Sequence, residues 1–135
     1  MLDKQKIIAK VKLLHLPENS YIVYGSGPLA AAGIREANDI DLLVTPEVYL
    51  KLKKLGWKKI YKSPGDEPLT FEVFEAHDNW NFCSHNPPLT ELLARAKIIS
   101  GVAFASLEDV KKCKLAWGRP TDLLDVELIN NYSSI

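Results

Sequence analysis

The sequence has little that would tie it to a membrane, to the cell exterior or to a polyanion. Its two cysteines, Cys83 and Cys113, are too few for a disulfide framework, which predicts free thiols. No apolar run approaches the roughly 20 residues of a membrane-spanning helix, and residues 1–14 lack the apolar segment of a signal peptide. Seventeen basic residues balance seventeen acidic ones, so no overall charge favours nucleic acid or an anionic membrane. We therefore expect a cytoplasmic protein.

The length and composition are those of one folded domain. The chain has 135 residues, of which 47% are hydrophobic and 25% are charged. Short apolar segments alternate with amphipathic ones, which predicts an α/β domain. We expect a single domain over residues 1–135, with its core at about 20–76 and C-terminal helices at about 89–132.

The element boundaries follow from hydrophobic periodicity and from turn and cap residues. Thr45 before Pro46 and Ser106 before Leu107 are expected to cap helices, and Gly118 is expected to end one. Strands are predicted at 21–24, 40–44, 57–61, 69–76 and 102–105. Helices are predicted at 4–14, 28–33, 46–55, 90–96, 106–117 and 120–131.

A glycine turn follows the first predicted strand. Gly25, Gly27 and Ala30 spell G-x-G-x-x-A, the pattern of a dinucleotide-binding turn. That motif also wants an acidic residue roughly 20 positions after the turn, at the end of the second strand. Here Pro28 follows the second glycine directly, and the acids come earlier, at the start of the second strand. The sequence therefore argues against a dinucleotide site, and Gly27 is interpreted as an ordinary turn residue.

An acidic pair begins the second strand. Asp39 and Asp41 are two residues apart, so their side chains leave the same face while Ile40 points into the core. Two neighbouring carboxylates repel unless a cation neutralises them, and oxygen ligands of this kind suit Mg²⁺ together with substrate phosphates. The amides of Gly25 and Ser26, with the Ser26 hydroxyl, are expected to hold phosphate oxygens. This layout favours phosphoryl or nucleotidyl transfer.

The same stretch resembles the signature of the nucleotidyltransferase superfamily, which has the polymerase-β-like fold. The resemblance rests on Gly25-Ser26, a short helix, Arg35 and then Asp39-Ile40-Asp41. The C-terminal run SLEDVKKCKLAWGRPTDLLDVELI is similar to the tail of small bacterial nucleotidyltransferases akin to the AbiEii-type toxin, although Thr121 stands where they usually have lysine. The resemblance implies an α+β (α/β) nucleotidyltransferase fold with a short mixed sheet flanked by helices. It also implies an NTP donor and two Mg²⁺ ions during catalysis.

A third carboxylate, from a neighbouring strand, is implied for such a site. The segment LTFEVFEA offers Glu72, between Phe71 and Val73, and Glu75 on the opposite face of the strand. Only one of them can face Asp39 and Asp41, and Glu72 is favoured because it fits a hydrophobic–acid–hydrophobic pattern. The predicted catalytic and metal-binding set is therefore Asp39, Asp41 and Glu72, with Glu75 as the alternative.

Two cations are candidates for nucleotide binding. Arg35 is expected to pair with the acids or with phosphate, as the resemblance implies. Lys114 lies in an otherwise apolar stripe, so it either contacts a nucleotide or pairs with Asp122 or Asp125, which are predicted to be structural. A further group of lysines at positions 51, 53, 54, 58, 59 and 62 is interpreted as a solvated face.

The acceptor of the transferred nucleotide cannot be chosen from the sequence. A small molecule, a protein or an RNA remain open, and a homodimer that completes the acceptor cleft is possible. The second hypothesis is a non-catalytic, antitoxin-like module of the same fold that binds a nucleotide or another protein.

Overall fold

The computed structural model describes residues 1–133 of the chain. Within them the fold is mixed α+β, with one seven-stranded mixed sheet and six helices. The helices are α1 (Lys4–Leu13), α2 (Gly27–Ala31), α3 (Pro46–Lys54), α4 (Leu89–Ala94), α5 (Leu107–Trp117) and α6 (Pro120–Ser133). The strands are β1 (Tyr21–Tyr24), β2 (Ile40–Val44), β3 (Lys58–Lys59), β4 (Leu69–Phe71), β5 (Phe74–His77), β6 (Lys97–Ile99) and β7 (Val102–Phe104).

The strand order of the sheet is β3-β4-β5-β2-β1-β7-β6. The central strands β1 and β2 are antiparallel, whereas β5 runs parallel to β2 and β7 runs parallel to β1. In the β2–β5 pair, Asp41 lies directly opposite Glu75. Because directly opposed residues project from the same face of a sheet, this register brings two acidic side chains together.

The strongest local sequence signals are confirmed by the structure. The Thr45 hydroxyl accepts a hydrogen bond from the Val48 amide at 3.3 Å, and the Ser106 hydroxyl accepts one from the Asp109 amide at 3.1 Å. Gly118 ends α5 in the left-handed conformation with φ 64°. All four residues of β1 are buried, as an apolar central strand requires.

The prediction of one strand over residues 69–76 is wrong. The segment is a hairpin, in which β4 and β5 are antiparallel and Phe71 is paired with Phe74 around a turn at residues 72 and 73. Glu72 occupies the left-handed region with φ 52°. Glycine, asparagine and aspartate adopt this conformation most often, so a glutamate gives no sequence signal for it. Strand β6 was also missed, and the strand predicted at 57–61 is only two residues long.

No helix among residues 1–133 has the length and apolar character needed to cross a membrane. Cys83 and Cys113 are buried free thiols.

Candidate functional site

Three carboxylates converge at one edge of the central strands. Asp39 directly precedes β2, Asp41 lies in β2, and Glu75 lies in the neighbouring β5. One carboxylate oxygen from each residue lies within 4.8 Å of the other two, and all three side chains are partly buried. We call these residues the acid cluster.

Glu72, which the sequence favoured as the third carboxylate, is not part of the acid cluster. It is exposed at the turn between β4 and β5, and Glu75 takes the expected place beside the two aspartates. The correction follows from the hairpin. Because β5 begins only at Phe74, the register with β2 sets Glu75 opposite Asp41.

The electrostatics of the acid cluster disfavour three ionised carboxylates. Burial, a side-chain hydrogen bond with Glu75 and the charge of Glu75 raise the pKa of Asp39 to about 6. Burial and the charges of Asp39 and Glu75 raise the pKa of Asp41 well above its usual value. Without an added cation, partial protonation of Asp39 and Asp41 therefore reduces the negative charge of the acid cluster.

The cation that contacts the acid cluster comes from the chain itself. The Lys62 ammonium pairs with the Glu75 carboxylate, and its side chain is 41% exposed. Burial alone would lower the pKa of Lys62, but the hydrogen bond to Glu75 and the charges of Asp41 and Asp39 raise it. Lys62 was predicted to lie on a solvated basic face, and no local sequence signal distinguishes it from the neighbouring lysines.

The glycine turn packs directly against the acid cluster. Gly25 has φ 65°, and a Cβ at this position would overlap Asp41 Oδ2 and lie 3.2 Å from Asp41 Cγ. The interpretation of Gly27 as an ordinary turn residue is wrong, because a Cβ there would overlap Val23 Cγ1. Both glycines therefore permit close packing, but only Gly25 brings backbone against a carboxylate of the cluster.

A second charged group borders the glycine turn, built around the buried Asp125 of α6. Arg35 donates from Nε to Asp125 Oδ1 and from Nη2 to Asp125 Oδ2, both at 2.8 Å, and Nη2 also donates to the Ser26 hydroxyl at 2.8 Å. Lys114 Nζ lies 2.8 Å from Asp125 Oδ2 and 3.7 Å from Asp122 Oδ1. We call Arg35, Lys114 and Asp125 the Asp125 clamp.

Both cations of the Asp125 clamp pair with the Asp125 carboxylate. Burial alone would raise the pKa of Asp125, but hydrogen bonds from Arg35 and Lys114 outweigh burial and lower it. The expectation that Lys114 pairs with Asp122 or Asp125 is confirmed. Arg35 pairs with Asp125 rather than with Asp39 or Asp41, although its charge still lowers the pKa of Asp39.

All of these groups open onto one cleft of about 810 Å³. The acid cluster, Gly25 and Ser26 line one part of the wall, and Lys62 and the Asp125 clamp line other parts. Phe82 and Trp117 add an aromatic wall, with ring centroids 5.6 Å apart, and the Arg119 guanidinium lies 4.5 Å from the Trp117 ring. The cleft thus combines acidic, basic and aromatic surfaces within reach of one extended ligand.

Comparisons with known proteins identify no family for the chain. A scan against models of protein families, a search of curated proteins and a search of solved structures each returned no match.

The donor set of the acid cluster fits a small divalent cation such as Mg²⁺. Carboxylate oxygens are the hard ligands that Mg²⁺ prefers, and one oxygen from each of three residues lies within ion-sharing distance of the others. The Lys62 ammonium already supplies positive charge at this place. Gly25 leaves the space that a side chain would otherwise fill beside Asp41.

Proposed function

We propose that the protein is a metal-dependent nucleotidyltransferase with the nucleotidyltransferase fold. The observation that carries the proposal is the convergence of Asp39, Asp41 and Glu75 beside the turn of Gly25 and Ser26 in one cleft. The order of parts also supports it, because the turn follows β1, the aspartates open the antiparallel β2, and the third acid comes from the parallel β5.

The proposed reaction moves a nucleoside monophosphate from an NTP to a hydroxyl acceptor. The acceptor oxygen attacks the α-phosphorus, the bond from that phosphorus to the bridging oxygen of the β-phosphate breaks, and pyrophosphate leaves with the bonding electrons. The acceptor proton passes to a carboxylate of the acid cluster. Mg²⁺ held by Asp39, Asp41 and Glu75 would neutralise the charge that develops on the phosphate oxygens.

The chain's own residues would bind and orient the NTP. Gly25 and Ser26 line the cleft next to the acids and are placed to face the triphosphate. Arg35 donates a hydrogen bond to the Ser26 hydroxyl. This contact orients the turn whether or not Arg35 also binds a phosphate. Positioning of this kind, with charge neutralisation, supplies most of the rate in phosphoryl-group transfer. NTP donors also agree with the cytoplasmic location expected from the sequence.

The test measures binding and chemistry separately. With Mg²⁺ and the correct NTP at a hundredfold excess over Kd, the free energy of unfolding should rise by about 2.7 kcal/mol. Glu75→Gln and Asp41→Asn should lose most of this stabilisation, whereas Glu72→Gln should keep it because Glu72 lies exposed on the turn of the same hairpin. If no NTP stabilises the wild type, or if Glu72→Gln and Glu75→Gln behave alike, the proposed site is wrong.

A non-catalytic module that binds a nucleotide or another protein is the second candidate. The observation that favours it is the internal neutralisation of the cleft, in which Lys62 pairs with Glu75 while Arg35 and Lys114 pair with Asp125. Pyrophosphate release, measured over small-molecule, protein and RNA acceptors, discriminates between the two. NTP binding without release on any of these acceptors would support the second candidate.

A further inference from the structure

The tip of the β3–β4 hairpin is fastened to β5 at two points. Lys62 pairs with Glu75, and Asp66 Oδ1 lies 3.1 Å from His77 Nε2. Glu75 and His77 are two residues apart on one strand, so both point from the same face of the sheet. The Lys62 amide donates to the Asp66 carbonyl at 3.0 Å, which closes the tip into one turn. The tip is thus a compact unit held over the acid cluster.

Lys62 differs from the other cations of the cleft in what neutralises it. Arg35 and Lys114 pair with Asp125, which is outside the acid cluster. The ion pair of Lys62 is with Glu75, a member of the cluster. Lys62 therefore supplies positive charge directly to a carboxylate of the acid cluster.

The Lys62 ammonium contacts Oε1 of Glu75, so a divalent ion bound by the acid cluster would lie beside that ammonium. Like charges a few ångströms apart repel strongly in a partly buried site, so the two cations compete for one place. The half-exposed Lys62 side chain can swing into solvent, whereas the strand position of Glu75 is fixed by its pairing with β2.

We propose that Lys62 is a positioning residue, the resident cation of the acid cluster, and that a divalent ion displaces it from Glu75. The displacement frees one of the two fastenings of the hairpin tip and leaves the Asp66–His77 contact as the other. The identity of the cluster as a metal site rests on the proposed function. The competition itself does not depend on which nucleotide or acceptor the protein uses.

The experiment titrates the nucleotide-free protein with Mn²⁺ alone, followed by the electron paramagnetic resonance signal of the free ion. Lys62→Gln should bind Mn²⁺ about tenfold more tightly than the wild type, because it removes the competing charge. Lys59→Gln is the matched control, since it removes the same charge from an exposed lysine three positions away on β3. Lys62→Arg should restore the wild-type affinity.

Thermal unfolding supplies a second readout. Without metal, Lys62→Gln should unfold at a lower temperature than Lys59→Gln, and saturating Mn²⁺ should close that gap. Equal or weaker Mn²⁺ binding by Lys62→Gln relative to Lys59→Gln would overturn the inference, as would the absence of binding by every variant. Tighter binding by Lys62→Gln, in a protein that neither binds NTP nor releases pyrophosphate, would leave the inference standing and overturn only the proposed function.

Discussion

Gly25→Ala tests the close approach of the glycine turn to the acid cluster. The substitution adds one methyl group at a residue with φ 65°, where the new Cβ would overlap Asp41 Oδ2. Asp41 cannot retreat at low cost, because the side chains of Asp39 and Glu75 lie beside it. We therefore expect both the free energy of unfolding and the metal affinity to fall.

Two other glycines separate the contributions to that loss. Gly33→Ala places alanine at φ 76° with nothing within 4 Å of the added Cβ, so it reports the backbone strain alone, about 1–2 kcal/mol. Gly27→Ala overlaps Val23 Cγ1 at a residue without positive φ, so it reports overpacking alone, about 1–3 kcal/mol. Gly25→Ala should combine both effects and cost about 2–5 kcal/mol.

The assay is urea unfolding of the three variants, paired with Mn²⁺ titration of each. Only Gly25→Ala should lose metal affinity, by at least about tenfold, because only its methyl group displaces a carboxylate of the acid cluster. In the background of Asp41→Ala the overlap disappears, so the excess cost of Gly25→Ala over Gly33→Ala should shrink toward zero. A Gly25→Ala protein that is no less stable than Gly33→Ala, with unchanged Mn²⁺ affinity, would refute the packing argument.

Two further predictions follow from the charged groups. Asp125→Asn should destabilise the protein by about 3 kcal/mol in urea unfolding, because Arg35 and the buried Lys114 lose their shared counter-charge; a loss below about 1 kcal/mol would show that the clamp is not structural. The ion-free protein should lose stability as pH rises from about 4 through 6, because Asp39 keeps its proton up to a pKa of about 6 when folded but releases it near 3.8 when unfolded. Asp39→Asn should show a shallower decline over that range, and parallel curves for the two proteins would contradict the raised pKa.

The elements with strong local signals could be predicted from the sequence. Strands β1 and β2 were predicted with their observed bounds, because each is a short apolar run between turn residues. The caps at Thr45 and Ser106 are local, because each hydroxyl accepts from an amide three residues later. Gly118 ends α5 because glycine readily adopts the left-handed conformation. These elements place the glycine turn and the two aspartates, which is why half of the site was predictable.

The third carboxylate was misassigned because one turn has no sequence signal. Glu72 adopts φ 52° in a two-residue connection without glycine, proline or asparagine, and its stability comes from the pairing of Phe71 with Phe74 and of β5 with β2. Tertiary pairing thus overrode local preference. Only one of Glu72 and Glu75 lies beside the aspartates, as expected, but strand alternation is not the reason, because Glu72 lies in a turn and Glu75 in β5.

The partners of the buried charges could not be predicted from local sequence. Arg35 and Asp125 are 90 residues apart in the chain, and nothing local to either residue indicates the other. The sequence indicates only that a lysine inside the apolar stripe of α5 needs an acid, a ligand anion or a route to solvent. In the structure Lys114 pairs with Asp125, and Arg35 pairs with the same carboxylate. The acid cluster is paired instead with Lys62. Lys62 and the raised pKa values of Asp39 and Asp41 neutralise the three carboxylates in part, and a cation from solution would replace the protons that the cluster retains.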